Sequence, residues 1–266
     1  MPGLDAMNQT AQRAEPRPRI VAAIQARMGS TRLPGKALRP IQGRAMIGRI
    51  FDRLCYAKRL DAIVVACPGN PENDPIAAYC AREGIGCVRG PANDADVLGR
   101  MLAVAEAQSS DAVVRITADC PLVDPLLVDA VVERFAPTFS VPPCLRPDFI
   151  SNIHPTRGVP DGLDVELIST EAMNAVRRYW KSSQIPEAFT TLFWSQPSWA
   201  RTWSLLPTPH LGELRWTVDT PEDLAFVNDV WAALPESFAM EDIWRLHNDP
   251  HFKRNWAARF VSWKEK

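Results

Sequence analysis

From Ile20 onward, short apolar runs alternate with amphipathic stretches, and this alternation restricts the fold more than any other feature of the chain. Ile20–Gln25 is apolar and gives way to a polar loop, as a strand buried on both faces does. Arg44–Lys58 carries Ile47, Ile50, Phe51, Leu54 and Cys55, the stripe of an amphipathic helix. Ala62–Cys67 reads as the next buried strand. Asp74-Pro75 places an N-cap before a first-turn proline and opens a helix through Arg82. Gly86–Arg89 reads as a strand, Asp94–Gln108 as a helix, and Ala112–Thr117 as a strand. Asp124-Pro125 opens a further helix to Phe135. Strands alternating with helices predict an α/β fold with a mostly parallel central sheet flanked by helices. Ligands of such sheets sit beyond the C-terminal strand ends. The chemistry is therefore expected in the loops Arg27–Lys36, Pro68–Asn73 and Ala118–Asp124.

The second half is less regular. Pro137–Pro147 reads as a proline-rich connector. Strands are predicted at Phe149–His154, Leu163–Ile168, Trp199–Leu205 and Leu214–Val218. Helices are predicted at Thr170–Lys181, Glu187–Trp194, Thr220–Leu234 and Met240–Asn248. Residues 1–19 are polar and lack apolar periodicity, so a disordered extension is expected there. One domain is expected over 20–240, followed by a helical tail over 241–266 bearing Trp244, Trp256 and Trp263.

Charge and composition narrow the function. Thirty Lys+Arg face 31 Asp+Glu, a formal net charge of −1, which excludes a globally basic nucleic-acid binder. No run approaches the ~20 apolar residues of a membrane span. With no apolar signal region near the N-terminus, a cytoplasmic protein is expected. The six cysteines show no C-x-x-C spacing and no partnership with the four histidines, so buried reduced thiols are expected rather than a zinc site or disulfides. Trp180, Trp194, Trp231 and Trp244 fall in predicted helices, which favours core packing over base stacking.

Four motifs stand out. Ala26-Arg27-Met28-Gly29-Ser30-Thr31-Arg32-Leu33-Pro34-Gly35-Lys36 follows the first strand with three cations, two hydroxyls and two glycines, a composition suited to a polyphosphate. It is not a Walker loop, because Ala37 follows Lys36. Asp119 ends the Ala112–Thr117 strand, and a carboxylate there holds Mg²⁺ against phosphate oxygens or caps a helix. Asp219 precedes the capping run Thr220–Asp223 and is not needed for the cap; with Asp119 it forms a candidate pair for one or two Mg²⁺ ions. Asp164 and Glu166, two residues apart, share one strand face, either to meet a polar ligand or as a solvated edge.

Together these motifs resemble the cytidylyltransferase family that makes CMP-activated sugars, closest to its spore coat polysaccharide biosynthesis branch. Ile24–Lys36, Asp96-Val97-Leu98-Gly99-Arg100, Arg115–Asp124, Asp161–Glu166 and Arg215–Leu224 carry the likeness, over roughly residues 20–235. The resemblance implies a Rossmann-like nucleotidyltransferase fold over the 20–240 domain. It implies a homodimer and Mg²⁺-dependent transfer of CMP from CTP to a sugar acid in surface polysaccharide synthesis. It implies nucleotide binding by Ala26, Arg27, Gly29, Ser30, Arg32, Lys36 and Thr117, with Lys36, Arg32 and Asp119 catalytic and Asp119 and Asp219 as metal ligands. The acceptor then falls to Asp161, Asp164 and Glu166. One segment departs from the branch: an Arg-Glu-His-Val-Thr type stretch is replaced by Ile185-Pro186-Glu187-Ala188-Phe189-Thr190, without the cation and the imidazole. A phosphorylated or phosphonate acceptor, another nucleotide such as GTP, and nucleotide binding without turnover stay open.

Overall fold

The apolar runs of the first half do lie side by side. In the computed structural model, which describes residues 17–195, 198–205 and 211–260, β1 (Ile20–Gln25) pairs in parallel with β4 (Ala62–Pro68) and β6 (Ala112–Thr117). β4 pairs in parallel with β5 (Gly86–Gly90). The seven-stranded sheet runs β5-β4-β1-β6-β8-β7-β9, with β7 at Phe149–Ser151, β8 at Glu166–Ser169 and β9 at Thr202–Ser204. β8 is antiparallel to both its neighbours, and the other pairings are parallel.

Both faces of the sheet are covered, which explains the unbroken apolar strands. Ile20, Ala22 and Ile24 of β1 pack with α1 (Met46–Leu54), α2 (Asp74–Glu83), α4 (Pro125–Phe135) and α7 (Pro221–Ala233). Val21 and Ala23 point the other way, into a second cluster with α3 (Val97–Gln108) and α5 (Thr170–Tyr179). The caps read from the sequence form: the Asp124 carboxylate accepts from the Leu126 N–H, and Thr220 and Asp223 make a reciprocal capping box.

Several expectations needed correction. A small hairpin, β2 (Pro40–Ile41) with β3 (Arg44–Ala45), takes the first residues of the predicted 44–58 helix. The 187–194 helix begins only at Thr191, as α6 (Thr191–Ser195). The predicted strand at 163–168 begins at Glu166, and because β8 lies between β6 and β7 it is not a solvated edge. Leu214–Val218 joins no sheet. It is extended, but its partners are loops: Asp161 brackets Arg215 by donating to Leu214 O and accepting from Trp216 N–H, and Val218 N–H donates to Asp119 O. Gly162 lets this bracket close, since a Cβ there would meet the Trp216 carbonyl carbon at 2.8 Å. Cys67, Cys80 and Cys120 are buried thiols as expected, but Cys55 and Cys144 are exposed.

At the start, residues 1–16 of the expected extension lie outside the described residues. Arg19 is tied to the domain through Asp111 and Gln108 O. The tail packs on the core through α8 (Met240–Arg245) and α9 (Pro250–Asn255): Phe252, Trp256 and Phe260 ring Phe226 of α7. Trp263 lies outside the described residues. No described helix is long and apolar enough to cross a membrane.

One buried carboxylate joins tail, α7 and the 214–218 segment. Asp223 is 2% exposed and pairs with Arg215 at 2.9 Å and Arg259 at 2.7 Å. It also accepts from the Asp219 and Thr220 N–H groups. Burial opposes its ionisation, but Arg215, the two N–H groups and Arg259 prevail and hold the carboxyl well below the usual range. Asp223→Asn is expected to cost about 3 kcal/mol at neutral pH, as breaking a buried pair does. A depressed carboxyl stabilises fully above the unfolded-state pKa of about 3.9 and loses that contribution as pH falls through the folded value. The gap in unfolding free energy between parent and variant should therefore narrow from pH 7 toward pH 2; a gap independent of pH would contradict this account.

Candidate active site

Strand order reverses direction at β1, with β4 and β5 to one side and β6 and β8 to the other, and the loop after β1 opens above that point. Three pins shape the loop. Met28 N–H donates to Asn73 Oδ1 at 2.8 Å, Leu33 and Ala37 are buried, and Gly35 N–H donates to Met28 O. Gly35, at φ 65°, makes the left-handed turn that starts the short helical turn Lys36–Leu38. Between the pins, the N–H groups of Gly29, Ser30, Thr31 and Arg32 find no acceptor among the described residues. They border a cleft of about 370 Å³ lined by loop residues, by Arg115, Thr117 and Asp119 of the β6 end, and by Glu187 and Asp219. Consecutive unpaired N–H groups beside cations form an anion nest.

Lys36 anchors the cleft. Its Nζ donates to Asp119 Oδ2 at 2.8 Å, Asp219 Oδ1 at 3.0 Å and Val218 O at 3.2 Å. Burial would lower the Lys36 pKa, but the two carboxylates raise it above the ordinary value. Burial likewise opposes ionisation of Asp119, and the Lys36 charge overrides it, holding the carboxyl below its usual range. Asp219 also meets Arg32 at 3.0 Å and Arg215 at 2.8 Å. Lys36, Arg32 and Arg215 thus converge on Asp119 and Asp219, with Arg215 shared with Asp223.

The residues singled out in the sequence are distributed unevenly. Arg27, Gly29, Ser30, Arg32, Lys36, Thr117, Asp119 and Asp219 all line the cleft. Ala26 does not: it is buried, and its N–H is spent on Ala66 O. Asp161, Asp164 and Glu166 are not among the lining residues. Asp164 is paired with Arg157, and Glu166, 3% exposed, with Arg115. Asp161 stands 3.6 Å from Arg157, and burial together with Asp164 raises its pKa. Gln25, Arg115 and Glu187 line the cleft without having been singled out. Arg115 could have been found as the one charge in the strand Ala112–Thr117. Glu187, from the segment that departs from the expected pattern, reaches Arg27 at 2.9 Å, a contact that no sequence spacing encodes.

Comparison with known proteins agrees with this geometry. The family model described as Cytidylyltransferase matches residues 21–159, more than half of the chain. Spore coat polysaccharide biosynthesis protein SpsF of Bacillus subtilis is 28% identical over 242 residues, covering 87% of this chain and 95% of that protein. The 3-deoxy-manno-octulosonate cytidylyltransferase of Solibacter usitatus is 30% identical over 171 residues, 63% of each chain. Among solved structures, a cytidylyltransferase from Leptospira borgpetersenii superposes with a TM-score of 0.79 at 25% identity, covering 92% of this chain and 98% of that one. The matched stretch contains the phosphate-fitting loop and the Asp119 strand end, the two parts of the cleft that Lys36 joins, and the chain is a member of the cytidylyltransferase family of nucleotidyltransferases.

Proposed function

We propose that the chain transfers a cytidylyl group from CTP to a sugar acid with release of pyrophosphate, in the synthesis of a surface polysaccharide. The observation that carries this reading is the Lys36 bridge between Asp119 and Asp219 beside four unpaired loop N–H groups. The names of the relatives support the nucleotide and the acceptor class.

The residues have separable tasks. The N–H groups of Gly29–Arg32, with Arg27, Arg32 and Lys36, bind the triphosphate. An acceptor oxygen attacks the α-phosphorus, the bond to the β-phosphate oxygen breaks, and the acceptor's hydroxyl proton leaves to water in the open cleft. Charge then accumulates on pyrophosphate, where Lys36 and Arg32 already stand. Asp119 and Asp219 fit a magnesium ion, because one ammonium already reaches both and Mg²⁺ is usually held by one or two carboxylates plus phosphate oxygens. When bound, the ion would supply positive charge against the phosphate oxygens. Thr117 stands beside Asp119 in the cleft wall as a further nucleotide contact. Of the three acids expected on the acceptor side, Glu166 meets the cleft through Arg115, while Asp161 and Asp164 are held by Arg157 outside its lining.

Thermal stabilisation by CTP, GTP, UTP and ATP, each with and without Mg²⁺, tests the reading, since a ligand of the folded state raises the melting temperature. Stabilisation by CTP with Mg²⁺ alone is expected. Preference for GTP would reassign the nucleotide, and no shift with any of the four would reject the site.

Lys36→Met removes the cation shared by Asp119 and Asp219, so the unliganded variant is expected to melt somewhat below the parent while still folding at the assay temperature. Losing a charge-assisted hydrogen bond to phosphate should raise the CTP dissociation constant about 10- to 100-fold. Unaltered CTP affinity in calorimetry would remove Lys36 from the phosphate site. Asp119→Asn should make CTP stabilisation insensitive to Mg²⁺ below millimolar levels; a parental Mg²⁺ response would leave Asp119 with a structural role only.

A further inference from the structure

Arg115 is a charged residue in an otherwise apolar strand, and its surroundings are built to hold it. It sits directly across from Glu166 in the antiparallel β6–β8 register. Its Nη1 donates to Glu166, which is 3% exposed, and its Nε donates to Gln25 Oε1 at 2.6 Å. Nη2 has no partner among the described residues and is not among their enclosed unpaired atoms. Since Arg115 lines the cleft, that free edge faces the space a ligand would fill. Two of the three guanidinium nitrogens fix the plane, and the third is presented.

Direction decides what Arg115 meets. The phosphate loop follows β1 and holds the leaving pyrophosphate. In-line displacement brings the nucleophile to the α-phosphorus from the side opposite the leaving group. Arg115 and Glu166 lie within β6 and β8, set back along the strands from Asp119, where Lys36 stands. Glu166 already neutralises Arg115, so the pair adds no net charge for a polyphosphate. It offers one rigidly held, charged donor, Nη2, suited to a charge-assisted hydrogen bond with one oxygen of a carboxylate.

We propose that Arg115 is the specificity-determining residue that grips the carboxylate of the acceptor, with Glu166 and Gln25 as its positioning residues. This rests on the cytidylyl-transfer reading above. It gives Glu166 an acceptor role exerted through Arg115 rather than by contact.

The test uses the full chain, with 3-deoxy-manno-octulosonate and N-acetylneuraminate as probe acceptors, and Arg115→Lys, Arg115→Met and Glu166→Gln as variants. Arg115→Lys keeps a cation against Glu166 but loses the fixed edge, so it guards against a variant that fails to fold. CTP with Mg²⁺ should stabilise parent and Arg115→Lys alike. KM for the sugar acid in pyrophosphate release should rise about 10- to 100-fold in Arg115→Lys and Arg115→Met. Glu166→Gln should raise the same KM with little change in kcat. An unchanged acceptor KM, or loss of CTP stabilisation in a folded Arg115→Lys protein, would overturn the proposal. So would a parent that is stabilised by CTP and Mg²⁺ but releases no pyrophosphate with either sugar acid, whether or not it accepts a sugar phosphate. A parent that no nucleotide stabilises would instead be a failure of the cytidylyl-transfer reading, and this inference would fall with it.

Discussion

A single ammonium group connects the three parts of the cleft. Lys36 lies in the loop after β1, Asp119 at the end of β6, and Asp219 just before α7. Each carboxylate alone would suffer from partial burial beside the other. The shared cation offsets that repulsion and holds the Asp119 carboxyl below its usual range. The same bond fixes the far end of the loop, whose near end is pinned by Asn73. The four N–H groups between are thereby held open to the cleft instead of folding onto their own carbonyls, and a preformed anion site costs little reorganisation when its ligand arrives.

The 214–218 segment shows why Asp219 can take part. It is not a strand, so no sheet ladder positions it. Asp161 brackets Arg215, Arg215 bridges Asp219 and Asp223, and Asp223 receives the N–H groups of Asp219 and Thr220. The backbone of Asp219 is therefore set by the cap of α7, while its side chain is set by Lys36, Arg32 and Arg215. Tail packing enters through Arg259, so a residue 40 positions away from Asp219 helps to fix one wall of the cleft. The helical tail expected after residue 240 packs on α7 and, through Arg259, reaches the Asp223 carboxylate beside the site.

The first half of the fold was legible because strands buried on both faces must be apolar throughout, and the helices between them carry one-sided stripes. The second half was harder for physical reasons. Leu214–Val218 has a strand's apolar content, but its hydrogen bonds go to loops, and only the tertiary structure decides that. Glu166 reads equally as a solvated or a ligand-facing acid until β8 is seen to lie between two strands, where an unpaired carboxylate would be intolerable. Lys36 and Arg32 could be picked out by their cationic, glycine-bearing loop, whereas Asp119 reads equally as a cap and Asp219 stands beside a capping run until the fold brings them onto Lys36. Gln25, Arg115 and Glu187 could not be assigned, because what they do depends on partners 51 to 160 residues distant.

Those partners divide the cleft into two electrostatic halves. Around the loop, Arg27, Arg32 and Lys36 stand beside four unpaired backbone N–H groups, a donor set that suits a triphosphate. Over β6 and β8, Arg115 and Glu166 cancel, leaving direction without net charge. An excess of charge there would let the triphosphate compete with the acceptor for Arg115. A neutral pair with one free edge binds a weaker anion without competing for the stronger one. The buried acid on β8 is thus accounted for twice: it satisfies the arginine opposite, and it keeps the second half of the cleft from acting as another phosphate site.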